Sequence, residues 1–517
     1  MMTDATGNLF ELLRSRFPAD LESPALTTPD GTCFTYADVD ACTARYANVI
    51  RSLSVVPGDR VAVQTDKSPQ ALMLYLGCLR AGVVYLPMNV SYRSSEVAHI
   101  VADAKPTLMV CRPGGETILR ESDAGAAVGQ VLTLGSQDDG TFAEASRACD
   151  SNFPTESRIA DDVAALLYTS GTTGLPKGVM LTHGNLASNA ITLHREWGWR
   201  ENDVLLHALP LFHTHGLFVA CHCALMGGTS MIFLPKFDLD QILAGLNRAS
   251  VFMGVPTFYT RLLNESRFDA EVCKNMRLFV SGSAPLLEQT FQDFETRTGH
   301  SILERYGMTE TGMNTSNPLE GKRKPGTIGH PLPDVEIRIV KEDGDCVTGE
   351  EIGQLQVKGP NVFRGYWRQP EKTAEEFSDD GYFCTGDLGC YDEDGYIVLV
   401  GRSKDLVISG GYNVYPKEVE LLIDELVGVK ESAIIGLSDP DLGEAVTAVV
   451  ILQQGQQNLT AEALIGQLKA VLAGYKVPKS VVFMDELPRN AMGKVQKNVL
   501  REMLSPKLPE TSTPNRD

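Results

Sequence analysis

Short apolar segments alternate with helical patterns along most of the first 300 residues. Residues 41–53 have the period of an amphipathic helix, and residues 60–64 have the pattern of a short strand. A helix followed by a strand returns in residues 71–87, and the alternation resumes after residue 185. This order predicts an α/β domain with largely parallel sheets. The polar residues 113–160 lack a clear period, and we expect an irregular connection there.

The sequence pattern changes near Gly326. Short strands alternate with Gly and Asp turns in residues 335–340, 353–357 and 396–400, which predicts a small antiparallel β unit. A helix–strand pattern then begins that has the size of a separate α+β domain. We therefore expect an N-terminal domain (1–401), a hinge (402–405), a C-terminal domain (406–504) and a disordered tail rich in Pro, Ser and Thr (505–517).

Length, charge and cysteine content narrow the class of protein. With 517 residues the chain is too long for a single core. A net charge of −20 makes nucleic acids and anionic membranes poor partners. The most apolar stretch, residues 71–88, contains Arg80 and two glycines, which favours a buried helix and strand over a membrane span. No signal-like segment occurs in residues 1–20, and the eleven cysteines form no zinc-type pairs, so we expect a reducing, cytoplasmic location.

One glycine- and hydroxyl-rich stretch, Tyr168-Thr-Ser-Gly-Thr-Thr-Gly-Leu-Pro-Lys-Gly-Val179, follows an apolar strand pattern. Glycines let a backbone turn tightly and direct its N–H groups inward, and hydroxyls with a lysine add donors and positive charge. The stretch is not a P-loop, because Gly178 rather than Ser or Thr follows the lysine. We interpret it as a phosphate-binding loop. Its candidate ligands are Thr169, Ser170, Gly171, Thr172, Thr173, Gly174 and Lys177.

A second motif, Glu304-Arg-Tyr-Gly-Met-Thr-Glu310, supplies the residue types of a nucleotide site. Tyr306 offers a ring for adenine, Thr309 offers a donor for the α-phosphate, and Glu310 offers an oxygen ligand for Mg²⁺. The alternative is a solvated turn with a structural glutamate. The remaining nucleotide-site candidates of this motif are Glu304, Arg305 and Gly307.

Two charged residues farther along the chain fit the same kind of site. Asp387 follows Thr-Gly, and its carboxylate is suited to accept both ribose hydroxyls of a nucleotide. Arg402 opens Arg-Ser-Lys-Asp405 and is suited to contact phosphate and ribose. Taken singly, an Asp or Arg at a turn is more often structural.

The order of the motifs resembles that of the adenylate-forming enzymes, which include acyl-CoA synthetases, luciferases and peptide-synthetase adenylation domains. The set comprises the phosphate loop, Tyr-Gly-Met-Thr-Glu, Thr-Gly-Asp, Gly-Arg-Ser-Lys-Asp and Pro-Arg-Asn-x-x-Gly-Lys494, and it covers about residues 8–505. The resemblance implies a large N-terminal domain of two α/β subdomains plus a small β-barrel-like unit. It also implies a small mobile α+β C-terminal domain.

The resemblance also implies a reaction and its participants. ATP with Mg²⁺ activates a carboxylic acid as its adenylate, and coenzyme A then takes the acyl group. The catalytic residues that the resemblance implies are Lys494, Glu310, Thr309 and His213. The C-terminal domain rotates about Lys404 between the steps. The resemblance assigns CoA binding to Gly410, Gly411 and Tyr412. A lysine acetyltransferase acting on Lys494 would remove its charge.

The acid-binding segments look like those of malonyl-CoA synthetases in particular. His213 lies in Pro210-Leu-Phe-His-Thr-His-Gly216, where it lines the acid pocket by resemblance. A dicarboxylate needs a cation at the far end of the pocket, because an unpaired second charge would be desolvated. Arg261 lies in an otherwise apolar segment and is the candidate cation, and the alternative is an arginine on a helix surface. Ser283 and Met313 are the candidate wall residues.

Three alternative functions remain at this point. The first is a CoA ligase for methylmalonate, acetate or another short acid. The second is an adenylation enzyme that loads a carrier protein, although no carrier domain is apparent in the sequence. The third is a non-catalytic ATP-binding protein, which Lys494 and Glu310 argue against.

Overall fold

The computed structural model has the predicted mixed α/β fold and describes residues 7–92, 94–120, 128–169, 176–410, 412–439, 442–453, 455, 459–490 and 493–505. The chain divides into two units. The first contains the described residues up to Arg338 and the segment Gln356–Cys384. The second contains Ile339–Leu355 and the described residues from Thr385 onward. The hinge at residues 402–405 stays a prediction.

Helices and strands alternate in the first third of the chain, as predicted. The elements are α1 (Leu9–Arg14), β1 (Pro24–Thr27), β2 (Cys33–Thr35), α2 (Tyr36–Ser52), β3 (Arg60–Gln64), α3 (Pro69–Arg80), β4 (Val84–Pro87), α4 (Ser94–Ala104), β5 (Leu108–Cys111), α5 (Gly115–Arg120), β6 (Gln130–Thr133), α6 (Thr141–Arg147) and β7 (Val163–Thr169). The expectation of an irregular connection over residues 113–160 was wrong, because α5, β6 and α6 lie there. Strand β6 pairs in parallel with β5, so a neighbouring strand decides its conformation, which the local sequence pattern does not reveal.

The alternation continues through the middle of the chain. The elements are β8 (Lys177–Thr182), α7 (His183–Glu196), β9 (Val204–His207), α8 (His222–Met226), β10 (Ser230–Phe233), α9 (Leu239–Leu246), β11 (Val251–Gly254), α10 (Pro256–Leu263), β12 (Leu278–Ser281), α11 (Glu288–Thr298), β13 (Leu303–Met308), β14 (Gly312–Ser316) and β15 (His330–Pro331). A π-helical segment, His215–Cys221, leads into α8. π-helical turns are uncommon and frequently occur at functional sites.

Two sheets of the first unit carry the phosphate-loop motif and the Glu304–Glu310 motif. In the described residues, nine strands lie in the order β15-β14-β13-β12-β11-β9-β10-β1-β2. Strands β9 to β13 of this sheet pair in parallel, so the segments after them emerge at one edge, where α/β proteins commonly bind ligands. The other sheet has the order β8-β7-β4-β3-β5-β6 with the short strand β18 (Gly365–Tyr366) beside β8.

Aromatic rings fill the core behind the nine-stranded sheet. Phe279 and Phe294 meet edge to face with centroids 4.9 Å apart, and Tyr259 meets Phe294 in the same way at 5.4 Å. The Tyr259 hydroxyl donates to the Val280 carbonyl over 2.7 Å, so this buried polar group is satisfied. Burying each ring contributes roughly 1.5–3 kcal/mol, which makes the parallel strands a firm base for the loops at their ends.

The later strands are short and join through turns, as predicted. The elements are β16 (Glu336–Val340), β17 (Gly353–Lys358), β18, α12 (Pro370–Glu375), β19 (Phe383–Tyr391) and β20 (Ile397–Arg402). The expected barrel-like unit is wrong in one respect: no closed barrel occurs in the described residues. Strands β16, β17, β19 and β20 form an open sheet in that order, because its outermost strands do not pair with each other.

The part of the second unit that follows β20 has the predicted α+β character. Its elements are β21 (Val407–Ser409), β22 (Tyr412–Val414), α13 (Pro416–Asp424), β23 (Val429–Asp439), β24 (Gly443–Leu452), α14 (Ala461–Val471), β25 (Ser480–Met484) and α15 (Lys497–Leu504). Strands β22, β21, β24 and β23 follow one another in the sheet, and β25 pairs with β24. No helix in the described part of the chain is long and apolar enough to cross a membrane.

Candidate active site

The phosphate-loop motif connects two antiparallel strands. Strands β7 and β8 pair so that Thr169 lies opposite Lys177. This register brings both ends of the loop together, and the Lys177 side chain is buried there. The remaining residues predicted for the loop, Ser170, Gly171, Thr172, Thr173 and Gly174, lie outside the described residues. Their part in phosphate binding stays a prediction.

Lys177 and Glu310 approach the same tyrosine. The Lys177 Nζ atom lies 4.9 Å from the centroid of the Tyr366 ring and 3.8 Å from Glu376 Oε1. The Tyr366 hydroxyl donates to Glu310 Oε1 over 3.4 Å. Burial, followed by the charge of Glu310, raises the pKa of Tyr366, so the hydroxyl stays protonated and able to donate. Tyr366 therefore connects the end of the phosphate loop with the carboxylate predicted to bind Mg²⁺.

A tight turn between β13 and β14 carries Thr309 and Glu310. Gly307 pairs with Met313 across this turn. A Cβ atom at Gly307 would lie 2.0 Å from the Gly312 carbonyl oxygen, so only glycine allows the two strands to approach so closely. The Glu310 side chain is 7% exposed, which places its carboxylate in a protected position.

Met313, predicted to be a wall of the acid pocket, is fixed by an amide on α7. Asn189 Oδ1 accepts from the Met313 N–H over 3.1 Å, and Asn189 Nδ2 donates to the Met313 carbonyl over 2.9 Å. Both polar groups of one side chain therefore hold one residue of β14. Sequence reasoning missed Asn189, because nothing in the local pattern of α7 distinguishes this amide from an exposed one.

A buried arginine lies next to the turn that follows β12. Arg305 on β13 is 2% exposed. A Cβ atom at Gly282 would lie 2.5 Å from Arg305 Cζ, so the guanidinium has room only because residue 282 is glycine. Burial lowers the pKa of Arg305 to about 9, which leaves it cationic at neutral pH. Among the described residues, Arg305 Nε and Nη2 have no hydrogen-bond partner. These two nitrogens form the edge of a guanidinium that can bind a carboxylate with two parallel hydrogen bonds.

Ser283 and His215 lie close to this arginine in the fold. The Ser283 Oγ and His215 Nδ1 atoms are 3.3 Å apart. Ser283 has a φ of 73°, a left-handed conformation that costs a non-glycine residue about 1–3 kcal/mol and often marks a functional site. Burial, followed by the charge of Arg305, lowers the pKa of His215 well below its usual value. At neutral pH the cluster therefore combines a cation, a neutral imidazole and a hydroxyl.

A second histidine holds the start of the π-helical segment. His207 Nε2 lies 2.9 Å from the Gly216 carbonyl oxygen, and His207 Nδ1 lies 2.7 Å from Lys67 Nζ. These partners assign the ring proton to Nε2, which donates to Gly216 while Nδ1 accepts from the lysine. His213 Nδ1 in turn accepts from the backbone N–H of His215 over 3.4 Å. His213, the histidine predicted to line the acid pocket, therefore contacts the backbone at the first residue of this segment.

Arg261, the arginine predicted to bind the second carboxylate, lies on α10 and is exposed. Its Cζ atom is 5.5 Å from the centroid of the Phe237 ring, a cation–π arrangement. Solvent weakens the attraction of an exposed cation for an anion, whereas Arg305 is shielded from solvent. The role of Arg261 stays a prediction, and Arg305 is a second candidate for it.

The second unit contains the two residues predicted to contact ribose and phosphate. Asp387 and Arg402 lie opposite each other on β19 and β20. Arg402 Nε lies 2.9 Å from Asp387 Oδ1, and Asp387 is 5% exposed. The pairing of neighbouring strands therefore brings together two residues that are fifteen positions apart in the sequence.

The second unit also contains the residues predicted to form the hinge and to bind CoA. Lys404 is exposed within the 3₁₀ turn Ser403–Asp405, and Arg501 Nη2 of α15 lies 3.1 Å from Asp405 Oδ1. Gly410 has a φ of 60° between β21 and β22, and Gly411 lies outside the described residues. Tyr412 is 60% exposed and stacks on Tyr475 with ring centroids 4.8 Å apart.

Lys494 lies on a hairpin between β25 and α15. Gln496 donates its N–H to the Pro488 carbonyl over 2.8 Å, and Asn490 donates its N–H to the Lys494 carbonyl over 2.9 Å. Asn490 Oδ1 accepts the Lys494 N–H over 3.0 Å. The lysine side chain is exposed. Backbone and side-chain contacts of Asn490 therefore shape the turn that carries Lys494.

The sequence matches the AMP-binding enzyme family over residues 16–367. The C-terminal domain of AMP-binding enzymes matches residues 418–494. The chain belongs to the AMP-binding enzyme family. The second match ends at Lys494. The two matches therefore cover both the N-terminal and the C-terminal parts expected of this family. Like its relatives, this AMP-binding enzyme is an acyl-CoA ligase.

This AMP-binding enzyme is similar to two CoA-ligase sequences and to a solved structure. It is 34% identical to a malonate–CoA ligase of Arabidopsis thaliana, over 98% of this chain and 90% of the relative. It is 36% identical to a feruloyl-CoA synthase of an Amycolatopsis species, over 91% and 94% of the two chains. The crystal structure of ATP-bound MatB from Rhodopseudomonas palustris is similar with a TM-score of 0.94 and 51% identity, covering 96% of this chain and 99% of that one.

The described residues of this AMP-binding enzyme contain no cluster of three or more His, Cys, Asp or Glu side chains that could hold a metal ion. Glu310 offers one buried carboxylate instead. Mg²⁺ is commonly bound by one or two carboxylates together with substrate phosphates and water. A single protected carboxylate close to the phosphate loop therefore fits Mg²⁺ that arrives with a nucleotide.

Proposed function

We propose that this AMP-binding enzyme is a malonyl-CoA synthetase, which converts malonate, ATP and CoA to malonyl-CoA, AMP and diphosphate through malonyl-adenylate. The observation that carries the proposal is the buried Arg305 with its Nε and Nη2 atoms unpartnered among the described residues. Buried guanidinium nitrogens without hydrogen-bond partners carry a desolvation cost, so a ligand anion that accepts from them is favoured there. The second carboxylate of malonate supplies that anion, and the malonate–CoA ligase of Arabidopsis thaliana supports this choice.

In the first half-reaction a malonate carboxylate oxygen attacks the α-phosphorus of ATP and diphosphate leaves. Both reactants are anionic, so the barrier is largely electrostatic, and fixed positive charges lower it. We assign this role to Lys494, to Lys177 and to the phosphate loop. Glu310 is the residue that would hold Mg²⁺, which supplies further positive charge to the phosphates when bound. Arg305 and Ser283 orient the acid by its other carboxylate.

In the second half-reaction the CoA thiolate attacks the carbonyl of the adenylate and AMP leaves. We propose that the C-terminal domain rotates about Lys404 between the two steps, so that the segment Gly410–Tyr412 replaces Lys494 near the acyl group. The change of pattern at residues 402–405 and the exposure of Lys404 in a short turn support a pivot there.

We expect Lys404→Pro to slow CoA capture by at least about tenfold, equivalent to about 1.4 kcal/mol, while adenylate formation changes little. Proline restricts φ and removes the backbone N–H, whereas rotation needs freedom at this residue. The matched control is Lys404→Ala, which loses the same side chain but keeps the backbone free. Single-turnover formation of malonyl-CoA from supplied malonyl-adenylate measures the second step. Equal rates in the two variants would contradict a required rotation at Lys404.

The test of the proposed function is CoA-dependent AMP formation with a panel of acids. We expect malonate to give a kcat/KM at least about tenfold above acetate, propionate and ferulate, a difference of about 1.4 kcal/mol. Methylmalonate carries the same two carboxylates and measures how much room the pocket has for a substituent. A preference for ferulate would instead support an aryl-CoA ligase, in line with the feruloyl-CoA synthase among the relatives. Acyl transfer to a carrier protein but not to CoA would support a carrier-loading enzyme.

Two further points of the proposal concern the cellular setting. We place the enzyme in a reducing compartment such as the cytoplasm, because all eleven cysteines are free thiols.

We also propose Lys494 as a target of a lysine acetyltransferase. Its exposed side chain suits that reaction, and acetylation would remove the charge that adenylate formation needs.

A further inference from the structure

The Lys494 hairpin is attached to the body of the second unit by apolar side chains on both sides. Leu487 precedes it and Leu500 of α15 follows it, and both are buried in one cluster with Ala433, Ile435 and Val449 of the sheet. These contacts keep the two ends of the hairpin near the sheet. They do not fix the direction of the turn itself, because apolar contacts have no directional preference.

On the N-terminal side of Lys494, an ion pair constrains the orientation of the hairpin. Arg489 forms a salt bridge with Glu431 of β23, and its Nη1 atom donates to the Gly493 carbonyl over 2.5 Å. Arg489 also pairs with Val495 across the hairpin. One guanidinium therefore joins the sheet to the backbone of the residue directly before Lys494.

A second ion pair follows Lys494. Lys497 Nζ, at the first residue of α15, lies 2.6 Å from Glu420 Oε1 of α13. The two side chains are only 16% and 10% exposed. Glu420 Oε1 also accepts the Ile434 N–H over 2.8 Å, so the carboxylate is fixed by the sheet before the lysine reaches it. A protected, hydrogen-bonded carboxylate orients a cation better than an exposed one does.

We propose that Arg489 and Lys497 are positioning residues for Lys494: two ion pairs, one on each side of the hairpin, hold the turn in the orientation that adenylate formation requires. The inference rests on the proposed role of Lys494 in the first half-reaction. In this positioning role neither residue touches the reacting atoms. Both act by limiting the directions in which the Lys494 amine can point, so their loss affects the step that uses that amine.

We expect Lys497→Met to lower the rate of adenylate formation by about tenfold, and the double variant Arg489→Met/Lys497→Met to lower it more than either single change. CoA capture from supplied adenylate should stay within about threefold of the wild type, because Lys494 is not needed there. Lys497→Arg keeps the cation and should restore most of the adenylate-forming rate. The two steps are measured separately, by ATP–diphosphate exchange and by single-turnover thioester formation.

The matched control is Lys476→Met. Lys476 Nζ lies 2.6 Å from Glu418 Oε1, so this change removes an ion pair to the same helix α13 without touching the hairpin. It should leave adenylate formation within about twofold of the wild type. The double variant Glu420→Gln/Lys497→Met removes the pair without leaving a buried charge, and it keeps the test valid if Lys497→Met alone fails to fold.

Loss of both half-reactions to the same extent in the folded variants would overturn the proposal and assign a general stabilising role to the two pairs. Unchanged adenylate formation in the double variant Arg489→Met/Lys497→Met would overturn it as well. The exchange assay uses whichever acid the wild type activates best. Failure of malonate as a substrate therefore counts against the proposed function, not against this positioning role.

Discussion

Replacing Lys494 with alanine should reduce adenylate formation by about 10²–10³-fold or more, the loss typical of removing one donor that stabilises transition-state charge. Formation of malonyl-CoA from supplied malonyl-adenylate should stay close to the wild-type rate, because the CoA step does not use this amine in the proposed mechanism. ATP–diphosphate exchange and single-turnover thioester formation measure the two steps.

The side chain of Lys494 is exposed, so its removal should not change the free energy of unfolding by more than about 0.5 kcal/mol. Thermal unfolding of the variant checks this expectation. Acetylated Lys494 should behave like the alanine variant, since both lack the positive charge. Equal losses in both half-reactions of a stably folded variant would contradict the assigned role.

Removing the cation of Arg305 should selectively destroy the use of a dicarboxylate. We expect Arg305→Met to lower the ratio of kcat/KM for malonate over propionate by roughly 30-fold or more, since breaking a desolvated charge pair costs about 2–5 kcal/mol. Propionate lacks the second carboxylate and should lose little. Arg305→Lys should restore little of the ratio, because a lysine cannot reproduce the two parallel hydrogen bonds of a guanidinium edge.

The matched control for this prediction is Arg261→Ala, the other arginine considered for the dicarboxylate. Its side chain is exposed over the Phe237 ring, so we expect the same ratio to fall by less than about threefold, or roughly 0.6 kcal/mol. A large fall in Arg261→Ala and none in Arg305→Met would place the anchor on α10 instead. Little change in both variants would remove the main physical support for malonate.

Stability measurements separate binding from folding in the Arg305 variants. In the ligand-free protein this guanidinium is buried, and two of its nitrogens lack partners among the described residues. Replacing such an ion with an apolar side chain of similar length is often neutral or stabilising. We therefore expect the free Arg305→Met protein to unfold at or above the wild-type temperature. A strongly lowered temperature would show that the arginine has a structural role, and its kinetic effect could then not be assigned to malonate.

Local sequence determined the element types and the order of the motifs. Hydrophobic periods are short-range properties, so the alternation in residues 41–87 was predicted correctly, and so were the strands at residues 335–340, 353–357 and 396–400. Gly307 was identified within its motif as a nucleotide-site candidate, whereas the close approach of the Gly312 carbonyl oxygen that requires glycine there is visible only in the fold. Residues 113–160 were the exception, because β6 forms by pairing with β5 rather than through its own pattern.

Only the tertiary structure decided which side chains meet and which are shielded from water. The sequence indicated that a dicarboxylate needs a cation and offered Arg261 from its apolar surroundings, yet exposure depends on which face of α10 meets the core. Arg305 looked like part of a nucleotide motif until the fold placed it beside Gly282 and near Ser283 and His215. Burial and charge pairing depend on contacts between distant parts of a chain, whereas hydrophobic periodicity depends on neighbouring residues. For that reason the sequence determined the reaction class, and the fold selected the candidate anchor for the acid.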